Sequence, residues 1–279
     1  PLWEPGRIPL TLTPHIAYDD KLWMTSQTHA YSSPDGLTWT EHTKTDWGER
    51  IYESIVYFKD QLWMFGGLDY QARTFQNDIW SSSDGVTWSN LGNAAWPVRG
   101  SHTVVVYRNR LWLLGGANHV AGDRSTDGFV NDVWVSDDGI SWTLVTPAAP
   151  WSPRDKAGAV VFNDELYLLG GQGTADVWRS SNGRDWTQLV TEADWSPRHD
   201  FGRVAYSGRL WVFGAGRIGP PMPSTTCGPP TTGSTGAAKL IMPHGHQDHR
   251  SPLSSTTRSG STAGSTPAPT TTGAVTCGR

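Results

Sequence analysis

The feature that most constrains the fold of this chain is an internal repeat. An apolar strand followed by Leu-Trp (once Leu-Tyr), and usually by Gly-Gly, occurs five times, with leucines spaced 40, 49, 55 and 44 residues apart. The five leucines are Leu22, Leu62, Leu111, Leu166 and Leu210. Repeats of this period are typical of proteins that stack one small supersecondary unit several times.

Two further elements recur in phase with the first. One is the pattern W-x3-[DN]-G-x2-W, which spans Trp80–Trp88, Trp134–Trp142 and Trp178–Trp186, and at 31–39 begins with Tyr31 instead. The other is W-x2-R, whose arginine always lies twelve residues before the leucine. These arginines are Arg50, Arg99, Arg154 and Arg198. The three units around Leu62, Leu111 and Leu166 therefore carry all three elements in the same order.

The repeated elements predict two β-hairpins in each unit. The polar pair Arg108-Asn109 divides two β-branched and aromatic runs, as a two-residue hairpin turn does. In the second hairpin, Trp134 and Trp142 are equidistant from Asp138, so we expect them to face each other across a three-residue loop, 137–139. A four-stranded unit cannot bury both faces alone, which predicts units stacked around an axis. We therefore expect an all-β propeller with about four and a half blades in residues 1–216.

The same residues resemble a known family. The Gly-Gly pairs at 66–67, 115–116 and 170–171, the following [NA]-D-[VI]-W and the later Trp and Arg resemble kelch repeats over about residues 10–216. Ala215 and Thr25 depart from the Gly-Gly pattern. The sialidase-type Asp-box is a rival resemblance, but the loop here is one residue shorter. The kelch resemblance implies a β-propeller of at least six blades in an intact protein.

The composition changes abruptly after the last repeat. All sixteen tryptophans lie between Trp3 and Trp211, and residues 217–279 are rich in Thr, Ser, Pro and Gly, which predicts disorder. With suitable codons, a repeat such as N-D-V-W-S-S-D-D-G-V-N-W read one base late gives T-T-C-G-P-P-T-T-G-S-T-G, the sequence of 225–236. Both Thr-Cys-Gly tripeptides then correspond to Asp-Val-Trp. We therefore expect 217–279 to be a frame-shifted propeller end.

One metal-binding pattern lies inside this segment. His244, His246, Asp248 and His249 form H-x-H-x-D-H, which resembles the signature of metallo-β-lactamase-like zinc hydrolases. That family needs further ligands on a different fold, and the shifted frame converts 245–248 into another W-x-P-R. We therefore expect the pattern to be fortuitous and the protein to need no metal and no cofactor; a zinc hydrolase is a remote alternative.

Candidate binding residues follow from the geometry of a propeller. Arginines that recur in every unit form a ring on one face, and repetition favours a structural role over an anion site. Function is expected where the repeats differ, in the residues just after the arginines and in the long connections 68–76 and 117–130. The candidate site residues are Arg50, Glu53, Arg99, His102, Arg154, Asp155, Lys156, Arg198, His199 and Asp200.

Two classes of function remain open. The first, which we favour, is a binding or scaffold module for an unknown protein or glycan partner. The second is a carbohydrate-active propeller enzyme, related to sialic-acid epimerases or sialidases, with Glu53, His102 or Asp200 in acid–base roles. Copper radical chemistry needs a Cys–Tyr pair, and both cysteines lie in residues 217–279, which we expect to be frame-shifted. We therefore do not expect this chemistry. A net charge of −4 argues against nucleic acid as a partner, and the chain has no signal-peptide or membrane-span pattern, so its localisation is left open.

Overall fold

Four antiparallel sheets follow one another along the chain, each with four strands in sequence order, and the second with an additional short strand. The computed structural model describes residues 16–25, 29–44, 46–118, 128–171, 173–199, 201–213, 216–217 and 238–240. We call the four sheets blades 1 to 4, and the incomplete sheet that follows them blade 5. The described residues contain no helix, so none of them forms a helix able to cross a membrane.

The strand bounds follow the repeat closely. Blade 1 comprises β1 (Ile16–Tyr18), β2 (Lys21–Thr25), β3 (His29–Ser33) and β4 (Thr40–Lys44). Blade 2 comprises β5 (Arg50–Ile51), β6 (Ser54–Phe58), β7 (Gln61–Asp69), β8 (Thr74–Ser82) and β9 (Ser89–Asn93). Blade 3 comprises β10 (Thr103–Tyr107), β11 (Arg110–Ala117), β12 (Phe129–Ser136) and β13 (Trp142–Thr146). Blade 4 comprises β14 (Gly158–Phe162), β15 (Glu165–Gly171), β16 (Thr174–Ser180) and β17 (Thr187–Val190).

Blade 5 is only partly built from the repeat. Its strands are β18 (Arg198–His199), β19 (Gly202–Tyr206), β20 (Arg209–Phe213), β21 (Gly216–Arg217) and β22 (Ala238–Leu240). β19, β20 and β22 form one sheet, and β18 pairs with β21. All described residues belong to one compact unit, Pro1–Met242, and the second unit, Pro243–Arg279, lies outside them.

The first strand of each blade lies next to the first strand of the neighbouring blade. β1 contacts β6, β6 contacts β10, β10 contacts β14, and β14 contacts β19. Sheets that touch through their first strands are arranged radially, with those strands nearest the axis. The prediction of an all-β propeller with four complete four-stranded blades and a partial fifth is confirmed.

The turn between the first two strands of a blade has the predicted form. Tyr107 pairs with Arg110, so Arg108 and Asn109 alone form the loop, with φ of 49° and 57°. Positive φ at both positions defines a type I′ turn, whose twist matches that of the flanking strands. Asn163 and Asp164 form the same turn in blade 4, with φ of 49° and 57°.

The prediction for the second hairpin is wrong in its register. Trp134 pairs with Leu144 and Ser136 pairs with Trp142, so the two tryptophans do not face each other, and the loop has five residues, 137–141. The longer loop is stabilised by side chains. Ser136 Oγ accepts the N–H of Gly139, and one carboxylate oxygen of Asp138 accepts the N–H groups of residues 140 and 141, at 2.8 and 2.7 Å. This hydrogen bonding favours the wider turn over a tight one.

The apolar core lies between the blades. One buried cluster combines Tyr107 and Trp112 of blade 3 with Leu166, Leu168 and Trp186 of blade 4. A second joins blades 2 and 3 in the same way, and a third joins blades 4 and 5. Each blade therefore buries its faces only against its neighbours.

Candidate functional site

The W-x2-R arginines of blades 2 to 4 are buried in the protein interior. Arg50, Arg99 and Arg154 are between 1% and 4% exposed. Each guanidinium donates one hydrogen bond to the carbonyl of the first glycine in the Gly-Gly pair of its own blade, at 2.8 to 3.0 Å. A buried charge is tolerated only when it is paired, and each arginine has a carboxylate partner.

These partners are the aspartates of the [NA]-D-[VI]-W element, which were not among the predicted site residues. Arg50 forms a bidentate ion pair with Asp78, with N–O distances of 2.7 and 2.9 Å. The pairs Arg99–Asp132 and Arg154–Asp176 repeat this arrangement. Their sequence signal was available, because the aspartate recurs at a fixed distance before the tryptophan of each unit.

Each aspartate also accepts a hydrogen bond from that tryptophan. The indole Nε1 of Trp178 lies 2.7 Å from Asp176 Oδ2, and Trp80 and Trp134 make the equivalent contact. Burial alone would raise the pKa of Asp176, but the bonds from Arg154 and Trp178 outweigh it and hold the pKa below its usual value. Arginine, aspartate and tryptophan thus form one repeated interior unit.

The arginines also join consecutive blades through their backbone. Gly67 of blade 2 donates its N–H to the carbonyl of Arg99, at 2.9 Å, and Gly116 of blade 3 does the same to Arg154, at 3.0 Å. A Cβ on Gly66 would lie 2.9 Å from the Arg99 carbonyl oxygen, which explains the glycine at this position. The Gly-Gly pair is thus the contact point between one blade and the arginine of the next.

Arg198 occupies the equivalent position in blade 5 in a different environment. It is only half-buried, and its Nε donates to the carbonyl of Ser196, at 3.1 Å. Its backbone pairs with Arg217 through β18 and β21.

Glu53 and His102 occupy equivalent positions, three residues after the arginines. Both are 6% exposed. Glu53 Oε1 accepts a hydrogen bond from Thr25 of blade 1, at 3.3 Å. His102 lies beside Trp96, with ring centroids 5.8 Å apart, and neither of its ring nitrogens has a hydrogen-bond partner among the described residues. Burial, together with the nearby Arg99 charge, lowers the pKa of His102 to about 3. The imidazole is therefore neutral near pH 7.

The residues two positions after the arginines are neighbours in space and lie just before the first strands of blades 2 to 4. Tyr52, Ser101 and Lys156 all have left-handed backbones, with φ of 63°, 54° and 54°. The Ser101 N–H donates to the Tyr52 carbonyl, and the Lys156 N–H donates to the Ser101 carbonyl, each at 2.8 Å. The Lys156 ammonium lies 4.8 Å from the centroid of the Tyr52 ring. We call these three residues the axial mouth. Side chains of different chemistry are thus presented from one repeated backbone position.

Of the remaining predicted residues, Asp155 and His199 come one position after their arginines, and Asp200 comes two positions after Arg198. Asp155 is 6% exposed, and its backbone carbonyl lies close to Gly171. His199 is half-buried and pairs with Gly216 in the short β18–β21 ladder. Asp200, the connection at 119–127, and the residues of the H-x-H-x-D-H pattern lie outside the described residues.

Arg203 was not predicted and links blade 5 to blades 4 and 3. It lies at the second position of β19, in blade 5. Its Nε donates to the carbonyl of Ala159 in blade 4, and its Nη2 donates to Thr103 Oγ1 in blade 3, both at 3.2 Å. No motif marks this residue, because the equivalent position is apolar in the other blades.

The axial mouth offers hydrogen bonding, positive charge and an aromatic surface. The buried His102 beside it, with its pKa lowered to about 3, is neutral near pH 7. Within the described residues, no three His, Cys, Asp or Glu side chains are grouped as metal ligands.

The fold places the chain among the β-propellers, and comparison with known proteins supports that class. No protein-family model and no curated protein matches the sequence. Among solved structures, 294 chains are similar. One is the structure of YjhT, with a TM-score of 0.62 and 18% sequence identity over 74% of this chain and 71% of that one. At this identity the likeness shows the fold alone.

Proposed function

We propose that this chain is a kelch-like β-propeller that binds a protein or glycan ligand at its axial mouth. The observation that carries the proposal is the left-handed backbone shared by Tyr52, Ser101 and Lys156. Outside hairpin turns, non-glycine residues seldom adopt this conformation, and here hydrogen bonds between successive blades hold it. This backbone conformation fixes three different side chains at the axial mouth, as recognition by a rigid scaffold requires.

We propose that the ligand carries a negatively charged group, which the cationic side chains of the site would contact. Lys156 contributes an ammonium to the rim, and Arg203 brings a guanidinium to the axial strands. Glu53 and Asp155, the neighbouring carboxylates among the described residues, are each only 6% exposed. Tyr52, at 38% exposed, offers an aromatic face for a sugar ring or an apolar side chain.

Binding is better supported than catalysis. Of the three candidates for acid–base roles, His102 is neutral and buried, Glu53 is buried in contact with Thr25, and Asp200 lies outside the described residues. A propeller enzyme that acts on sugars is the alternative. It predicts turnover of a bound sugar that is lost in Glu53→Ala or His102→Ala.

The test is binding of the full chain to an array of neutral and acidic glycans and to acidic peptides. Lys156→Asn removes the charge but keeps a residue that tolerates positive φ. Lys59→Asn is the matched control, because Lys59 is also left-handed, with φ of 49°, and lies in a hairpin turn away from the mouth. We expect Lys156→Asn and Tyr52→Ala to reduce binding at least tenfold, an effect of about 1.4 kcal/mol. Binding that survives both substitutions would contradict the proposal.

We also propose that residues 217–279 are read out of frame from a gene that encodes further blades. The supporting observation is that blade 5 exposes Tyr206 and Phe213, which correspond to buried residues in blades 2 and 3. The coding DNA provides the test. If the alternative frame after codon 225 contains no W-x3-D-G-x2-W, the proposal is wrong.

A further inference from the structure

Adjacent blades are joined by a repeated contact between a tryptophan and a glycine. The tryptophan of the Leu-Trp element packs on the glycine of the S-x-[DN]-G turn of the next blade. A Cβ on that glycine would lie no more than 2.6 Å from the indole ring in all three cases. The pairs are Trp23 with Gly85, Trp63 with Gly139, and Trp112 with Gly183. We call the tryptophan side of this contact the knob and the glycine side the socket.

Hydrogen bonds accompany the contact. Tyr107, at the end of the first strand of blade 3, donates its hydroxyl to the carbonyls of Asp164 and Ser181 in blade 4, at 2.9 and 2.8 Å. Tyr18 of blade 1 donates to the carbonyl of Ser83 in blade 2, at 2.5 Å. The carbonyls of Ser83 and Ser181 are at the same position of the socket turn, two residues before its glycine.

Blade 5 has a knob that is not covered within the described residues. Its tryptophan is Trp211, whose Nε1 bonds to the carbonyl of Tyr206 at 3.1 Å, as in the internal blades. Trp211 is half-buried, and Tyr206 is 70% exposed, whereas the equivalent Tyr107 is 2% exposed. Phe213 is 45% exposed, and the equivalent Phe65 is fully buried. Among the described residues, nothing covers the side of blade 5 that would face a following blade.

The socket of blade 1 is not covered by any of the described residues. The turn glycine Gly36 is only partly buried, whereas Gly85, Gly139 and Gly183 are buried. A Cβ on Gly36 would touch only Leu22 of its own blade, at 3.4 Å. The turn itself is formed as in the other blades, with the N–H of Gly36 on Ser33 Oγ at 2.8 Å.

We infer that two copies of this chain associate head to tail, with the blade 5 knob of one copy in the blade 1 socket of the next. The contact would continue an interface that the chain already makes three times. Trp211 would cover Gly36, and the Tyr206 hydroxyl would donate to the carbonyl of Pro34, which lies two residues before Gly36 as Ser83 and Ser181 lie before their turn glycines. The exposed apolar side chains of blade 5 would be buried in the process.

The two surfaces differ, so the contact is heterologous. Each added copy presents a new knob and a new socket, and association continues unless the rotation closes a ring. The inference is independent of the axial mouth and therefore of the proposed ligand.

Sedimentation velocity of the full chain over roughly a hundredfold range of concentration tests the association, which should increase by mass action. Trp211→Ala removes the knob. Gly36→Asn blocks the socket with a residue that tolerates the φ of +74° found there. Each variant should weaken association at least tenfold without lowering the thermal unfolding temperature. Leu144→Ser, at an apolar position 43% exposed on blade 3, is the control and should leave association unchanged.

Mixing the two variants gives the sharper result. At concentrations where the tenfold weakening keeps each variant monomeric alone, the intact socket of Trp211→Ala and the intact knob of Gly36→Asn should still form a dimer that grows no further. A chain that stays monomeric at every concentration, or association that persists in the double variant, would overturn the inference. So would a monomer in which Trp211 is protected from oxidation, since another part of the same chain would then cover the knob.

Discussion

Arg99 and Asp132, 33 residues apart in the sequence, form a bidentate ion pair inside blade 3, with N–O distances of 2.6 and 2.8 Å. The carbonyl of the same arginine accepts the N–H of Gly67 in blade 2. One residue thus fixes the second and third strands of its own blade and the position of the preceding blade. The same relationship recurs at Arg154, so it is part of the construction of the propeller.

The ion pair predicts a large difference between two aspartate substitutions. Asp132→Asn leaves a buried guanidinium without its counter-charge, and we expect a loss of about 3–5 kcal/mol in the free energy of unfolding. Asp164→Asn disrupts the pair Arg108–Asp164, whose side chains are 51% and 72% exposed, and should cost about 1 kcal/mol or less. Urea denaturation measures both. Equal losses would mean that burial does not strengthen the internal pair.

The contact between knob and socket predicts that alanine is less well tolerated at a socket glycine than at an open glycine with a similar φ. Gly139 has φ of +86° and Gly92 has φ of +94°. A Cβ on Gly139 would lie 2.6 Å from the Trp63 ring, whereas a Cβ on Gly92 would have no heavy atom within 4 Å. Gly92→Ala should therefore cost only the backbone strain, about 1–2 kcal/mol. Gly139→Ala should cost clearly more, because Trp63 must move away from blade 3.

Thermal unfolding monitored by tryptophan fluorescence checks this prediction. The emission of Gly139→Ala should also shift to longer wavelength in the folded state, as Trp63 becomes more exposed. If the two alanine variants unfold at the same temperature, the packing of Trp63 on Gly139 contributes no stability.

The sequence predicted the blades because the signals are local and repeated. Turn residues such as Arg108-Asn109 and the aromatic strands around them specify a hairpin through neighbouring residues alone. The register of Trp134 was predicted wrongly, because Ser136 and Asp138 capture backbone N–H groups and widen the turn. Symmetry of spacing did not reveal those hydrogen bonds.

The candidate site was less accessible to prediction, because its defining features are not local. The left-handed backbone of Ser101 and Lys156 depends on hydrogen bonds between successive blades. Arg203 bonds to Thr103, 100 residues earlier, and no motif marks that contact. The arginines were recognised as a ring, but their partners Asp132 and Asp176 were not, since the pairing depends on strand order within the blade.

The wide turn predicts a pH-dependent contribution from Asp138. Burial raises the pKa of this carboxyl group, but the N–H groups of Ser141 and Ile140 outweigh it, and the pKa is lowered from 3.8. A group with a lowered folded pKa adds stability above its unfolded pKa, and this stability is lost as the pH falls through the folded pKa. Asp138→Asn should therefore be less stable than the unaltered chain at pH 7 by an amount that shrinks below about pH 4. Blade 4 has Asn182 at this position, so the turn should still form.

His102 predicts a second pH dependence in a different range. Its pKa of about 3 in the folded chain lies below the ordinary value of 6.5, because burial opposes the charged form. Between pH 6.5 and about pH 3, His102 binds a proton in the unfolded chain but not in the folded chain. The free energy of unfolding should therefore fall as the pH is lowered, by up to about 1.4 kcal/mol per pH unit. Denaturation of His102→Gln at pH 7, 6, 5 and 4 should show a correspondingly weaker dependence, whereas His29→Gln, at a more exposed site beside Glu41, should retain it. An unchanged slope in His102→Gln would show that His102 takes up a proton in the folded state.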